Sequence, residues 1–171
     1  MFLLARMRKR LEAALAALDH LMALVCYALL CVIIVITLVQ IFLRFVLRNP
    51  ISWSEEVALL LLVWFGMIAI AIAVHRHGHL AIMAVRDRLP FPFNSFLDIL
   101  AQLLIAGFGL VQFICGFDLV ALAGGQTLPA SDIGKTWFYY PVIIGGALLT
   151  INALGNILTG RWTPVSESAG H

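Results

Sequence analysis

The sequence predicts an all-α integral membrane protein, with four transmembrane helices preceded by an N-terminal amphipathic helix lying in the membrane plane. Three observations carry this. Of 171 residues, 63% are hydrophobic and 12% charged, with a mean hydropathy of +1.03, whereas about a quarter of an ordinary soluble domain is charged. The apolar residues gather into four runs long enough to cross a hydrocarbon layer of ~30 Å. Residues 1–19 instead interleave apolar and basic side chains. The expected layout is one membrane domain over 1–165: the amphipathic segment 1–19, crossings at about 20–47, 54–76, 94–122 and 137–160, then a polar tail at 166–171.

In the first segment, Leu4, Met7, Leu11, Leu15 and Leu18 recur at helical spacing, with Arg6, Arg8, Lys9 and Arg10 among them. This is the pattern of a helix lying in an anionic membrane surface. A cleaved signal peptide would have a short apolar core, but the run after Asp19 and His20 has full spanning length, so retention is expected. The first crossing has nineteen uncharged residues, Leu21 to Val39, or roughly 28 Å of helix. At its far end Thr37, Gln40, Arg44 and Arg48 line one face. They either snorkel to the interface, or Arg44 or Arg48 pairs with Glu55 or Glu56 across a turn at Asn49 and Pro50, or with a partner chain.

The second crossing has eighteen uncharged residues, Val57 to Val74. Before it, Ser52 and Glu55 have capping-box spacing, a first-turn carboxylate faces the positive end of the helix dipole, and Trp53 suits a headgroup boundary. Adjacent Glu55 and Glu56 point about 100° apart on a helix and cannot share one proton; one caps, leaving the other for a partner. The third crossing starts near Asn94 or Asp98. Asp98, Gln102, Ile105, Gly109, Gln112 and Gly116 make a largely small or polar face, which packs on protein rather than lipid, within the chain or in another subunit. Gly124, Gly125 and Pro129 mark a loop between Ala121 and Thr136. Trp137, Tyr139 and Tyr140 then form an aromatic belt before the fourth crossing, with Pro141 in its first turn. Asn152 and Asn156 share a face there, and Gly145, Gly146 and Gly155 thin the helix for close contacts.

Four crossings put the N-terminal segment, the loop between helices two and three and the C-terminal tail on one side. That side holds eight of the eleven Lys and Arg residues: Arg6, Arg8, Lys9, Arg10, Arg76, Arg86, Arg88 and Arg161. Both termini are therefore expected to be cytoplasmic. No internal repeat or mid-membrane break marks a substrate pathway within this chain.

Chemical constellations are sparse. His75, His77 and His79 alternate, and His75 with His79 has a spacing two metal ligands can use, but neither an acid nor a cysteine joins them in the motif; interfacial partner contacts are the expectation. His20 and His75 lie at one membrane face, so a haem- or quinone-associated anchor of a respiratory enzyme is the alternative reading. Cys26, Cys31 and Cys115 sit in apolar runs and read as small hydrophobes. Phosphate loops, nucleophile elbows and buried carboxylate pairs are all missing, so neither enzyme activity, a cofactor nor a bound metal is expected. The net charge of +2 is spread along the chain and suggests no nucleic-acid partner.

Arg44 and Phe45, Asn49 and Pro50, Trp53 to Glu56, Trp64 and Gly66, His79, Leu89 and Pro90, then Tyr139 to Pro141 together resemble the small membrane subunit (DctQ-type) of tripartite ATP-independent periplasmic (TRAP) transporters. The resemblance is strongest over residues 40–90. It departs from the family at Met83, where members carry an acid or amide, and at Ile68 to Ile70, where glycine is scarcer. It implies a non-catalytic inner-membrane subunit of a sodium-coupled transporter for organic acid anions. That subunit would sit in membrane lipids and support the scaffold of a large permease subunit served by a periplasmic substrate-binding protein. The partner-interface or structural candidates are Arg44, Arg48, Trp53, Glu55, Glu56, His79, Gln102, Gly109, Gln112 and Gly116.

Overall fold

Without a glycine or proline between residues 2 and 49, nothing in the sequence interrupts the first helix. In the computed structural model, which describes residues 2–49, 51–77 and 93–159, α1 accordingly runs unbroken from Phe2–Phe45. The amphipathic segment and the first crossing are thus one helix of 44 residues, about 66 Å at helical rise and roughly twice the hydrocarbon thickness. The other helices are α2 (Trp53–His77), α3 (Phe93–Ala123) and α4 (Thr136–Thr159). All four are long and apolar enough to cross a membrane. Among the described residues the only extended pairing is an isolated bridge between Thr127 and Gly134, and the fold is all-α.

Chain order is not the spatial order. α4 is the hub: α3 packs chiefly on it, α2 packs on it and on α1, and α1 touches it more lightly. Of α4's most apolar stretch 44% is buried, against 17% for each of the others. Met22, Cys26, Ile68, Ala71 and Leu149 form the buried core where α1, α2 and α4 meet. The outer faces carry exposed Leu, Val, Ile and Phe such as Leu38, Leu62, Leu104 and Phe108, as lipid contact requires.

Lipid tails are as apolar as leucine, so helices associate in a bilayer by close packing and hydrogen bonds rather than by expelling water. α4 does this on three sides. Toward α3, a Cβ on Gly146 would lie 2.6 Å from the Gly109 carbonyl oxygen and 2.7 Å from the Phe113 nitrogen, so the two backbones touch there. Toward α2, Gly145 receives Met67, and toward α1, Gly155 receives Leu15. The small-residue face of α3 is therefore filled from within the chain: Gly109 lies against Gly146 and Thr150, and Gly116 against Ile143.

Two asparagines add directional bonds. The Asn152 side-chain amide donates to the Ala71 carbonyl at 2.9 Å, and that of Asn156 to the Val74 carbonyl at 3.1 Å. Both fix α4 against α2, with their own carbonyl oxygens buried and unbonded among the described groups.

Gly146→Leu is expected to force α3 off α4 and to destabilise the detergent-solubilised protein by more than the ~1–3 kcal/mol usual for overpacking, because backbone rather than a movable side chain is in the way. Gly107→Leu, which would meet nothing within 4 Å, serves as the control and should leave the thermal transition nearly unchanged.

Candidate interhelical and loop-side site

One group of polar side chains lies at the end of the bundle where α1 and α3 finish and α2 and α4 begin. Gly124, at φ 50°, closes α3, its amide donating to the Val120 carbonyl at 3.3 Å. Glycine takes that left-handed conformation without a side-chain clash. The chain then makes a small hairpin. Leu128 donates to the Ile133 carbonyl and Lys135 to that of Gln126, both at 2.8 Å, with Asp132 at φ 56° in the turn.

Glu56, in the first turn of α2, holds this hairpin. Its carboxylate accepts the Ser131 hydroxyl at 2.7 Å, the Ser131 amide at 2.9 Å and the Ala130 amide at 3.1 Å. A charged acceptor with three donors is a stronger tie than neutral hydrogen bonds of the same number. Glu55, the adjacent residue, turns instead to α1, accepting from the Gln40 amide at 2.8 Å and pairing with Arg44 at 3.8 Å. Both charged side chains are some 60% exposed, so that ion pair contributes about 0–1 kcal/mol. The expected Ser52–Glu55 capping box is not among the hydrogen bonds of the described residues: Gln40 and Arg44 are in reach and take the carboxylate. Arg48 is exposed at φ 52° and forms no ion pair among the described residues. Trp53 is 47% exposed at the head of α2.

One further bond joins α2 to α4. Pro141 is the sixth residue of α4, so its missing N–H deprives the Trp137 carbonyl of its helical partner. The Trp64 indole N–H supplies one, at 3.2 Å. Trp64 reaches back toward the start of its own helix, the direction in which helical side chains lean, and α2 and α4 run parallel. Trp137 in turn stacks edge-on with Tyr140, their ring centroids 5.6 Å apart.

Gln102 and Gln112 lie on the inner side of α3. Gln102 is buried, Gln112 sits beside Gly146, and the side-chain carbonyl oxygens of both are enclosed without a described partner. His79 lies outside the described residues. His20 is exposed on α1, and no group of three or more metal-ligating residues occurs among the described residues. The clamp donors Ala130 and Ser131 carry no sequence signal, since two of their three bonds come from backbone amides; Pro141 marks the Trp137 carbonyl as an orphan in the sequence, but its donor Trp64 is 73 residues away and set by the fold.

Trp64→Phe is expected to leave the Trp137 carbonyl unbonded and to lower thermal stability by about 1–3 kcal/mol. Glu56→Ala should leave the helices in place and speed amide hydrogen exchange at Ala130 and Ser131; exchange there as slow as in the wild type would show that the hairpin holds itself.

The family model for tripartite ATP-independent periplasmic transporters, DctQ component, matches residues 33–161. The chain is 27% identical over 127 residues to a sialic acid TRAP transporter small permease protein, SiaQ, of Vibrio cholerae, an overlap of 69% of this chain and 68% of that protein. It is 35% identical over 82 residues to a sialic acid TRAP transporter permease protein, SiaT, of Haemophilus influenzae, covering 48% of this chain but 12% of that much longer protein. An uncharacterized protein, y4mM, of Sinorhizobium fredii is 27% identical over 112 residues, 21% of its own length.

Proposed function

Because the chain belongs to the DctQ family, the small membrane component of tripartite ATP-independent periplasmic transporters, we propose that it is a non-catalytic support: it enlarges and anchors the fixed scaffold of a large permease subunit in a sodium-coupled transporter of organic acid anions. The observation carrying this reading is where the helices spend their polar groups. Asn152, Asn156, Trp64 and Thr150 all bond to backbone carbonyls of neighbouring helices, and every described crossing is continuous. Half-helix ends facing a cavity, which transporters use to hold ions and anions at mid-membrane, do not occur among the described residues. The bundle is built to stay one shape while a partner moves.

In this reading the large permease carries substrate and sodium, and a periplasmic binding protein delivers the anion. The two relatives named for sialic acid make a sugar acid one substrate to try first. Both termini face the cytoplasm by the excess of Lys and Arg there, which places the Glu56 clamp and its hairpin on the periplasmic side. Arg44, Arg48, Trp53 and Glu55, exposed at that end, form the polar rim available to the large subunit, while Gln102, Gly109, Gln112 and Gly116 act inside the bundle. His79 would contact the partner from the cytoplasmic side. The family match favours transport over the respiratory-anchor alternative.

Affinity purification of the tagged chain from cells expressing the neighbouring membrane gene is expected to yield a colourless complex with a large permease. A chain that elutes alone, or a sample with haem absorption, would overturn the reading. Glu55→Ala combined with Glu56→Ala should reduce the co-purified permease or substrate uptake while leaving membrane insertion intact; unchanged transport would restrict both carboxylates to a role within the chain.

A further inference from the structure

An open groove of about 370 Å³ runs down the loop end of the bundle between α3 and α4, lined by Leu119, Leu128, Lys135, Phe138, Tyr139 and Val142. Its size is at the small end of the roughly 300–1,000 Å³ typical of ligand sites. Its chemistry is graded along its length. At the top, the Lys135 ammonium bonds only the neutral Gln126 side chain, at 3.0 Å, and no carboxylate pairs with it among the described residues. Below it the walls are leucine, valine and aromatic ring. Val142 is seven residues beyond Lys135, so the groove descends ~10 Å at helical rise.

Its depth in the membrane is marked independently. Trp137 and Tyr140 meet edge to face in the same first turns of α4 that supply Phe138 and Tyr139 to the groove, on the opposite side of the helix, and such amphipathic rings sit at headgroup level. Lys135 therefore stands among lipid phosphates, and the apolar floor lies level with the upper acyl carbons. A water-soluble organic anion would find one cation and an apolar wall offering little to its hydroxyl groups. A phospholipid matches both ends.

We propose that this groove is a phospholipid site, with the lipid phosphate on Lys135 Nζ and one acyl chain against Leu119, Phe138 and Val142. The proposal requires the four-crossing fold but not the identity of the transported anion. A lipid seated there fills the seam between α3 and α4 above the Gly109–Gly146 contact and packs under the hairpin that Glu56 holds.

The test is native mass spectrometry of the full chain, purified with its permease partner in mild detergent, washed free of loosely held lipid and titrated with dioleoylphosphatidylglycerol. One phospholipid should remain on the wild type. Lys135→Ala should weaken its binding by about tenfold, the scale of one charge-assisted contact, and Lys135→Arg should restore it. Val142→Trp, which fills the floor, should expel the lipid with Lys135 intact, whereas Leu104→Trp on the exposed face of α3 should not. Thermal melting of each variant confirms that it is folded. The site is refuted if the wild type retains no lipid, if Lys135→Ala and Val142→Trp bind like the wild type, or if glycerol phosphate displaces the lipid as well as phosphatidylglycerol does, since the groove would then read only an anion.

Discussion

The backbone contact between Gly109 and Gly146 sets the distance at which α3 meets α4, and most of the remaining packing depends on that distance. Two helices with side chains between them stand 8–10 Å apart; removing both side chains lets them come closer, and closeness is what dispersion forces need in a medium that provides no hydrophobic drive. Once α3 is against α4 at Gly109, Thr150 can reach the Ala106 carbonyl at 3.4 Å while keeping its bond to Gly146. Ile143 then closes over Gly116.

Around α4 the polar groups follow one rule. A backbone carbonyl shut away from water without a donor costs about 1–3 kcal/mol, so an interruption in one helix is best answered from another. Pro141 makes such an interruption and Trp64 answers it. Glu56 plays the corresponding part for the amides of Ala130 and Ser131, which a short loop cannot satisfy by itself. The resulting bonds run from α2 to the middle of the α3–α4 connection and to the first turn of α4, so the two halves of the chain are cross-tied at the level where the membrane gives way to water.

Much of this is legible in the sequence, and the parts that are not share a physical cause. Four crossings follow from the lengths of the apolar runs, and the face carrying Gln102, Gly109, Gln112 and Gly116 follows from 3.6-residue periodicity. Periodicity identifies a face but not its neighbour; that α3 turns this face to α4 required the structure. The change in composition at Asp19 reads as an element boundary, yet the backbone continues through it because composition shifts do not break helices and only glycine, proline or a competing cap does. Ser52 and Glu55 have the spacing of a capping box, but a carboxylate goes to its best donors, and Gln40 and Arg44 are brought within reach only by the fold. The Glu56 tie spans 75 residues to Ser131 and uses main-chain donors, which every sequence has everywhere.

The helix at the centre of the bundle also has the least apolar membrane-crossing stretch of the four and is the last of them to be made. Its proline, asparagines and glycines are each matched to a group on an earlier helix: Pro141 through Trp137 to Trp64, Asn152 to Ala71, Gly155 to Leu15, Gly146 to Gly109. As a lone segment in lipid, α4 would expose an orphan carbonyl, two primary amides and a row of shallow notches. During synthesis from the N-terminus it enters a bilayer in which every one of those partners is already waiting. Biogenesis and architecture thus run in the same direction, with the keystone laid last.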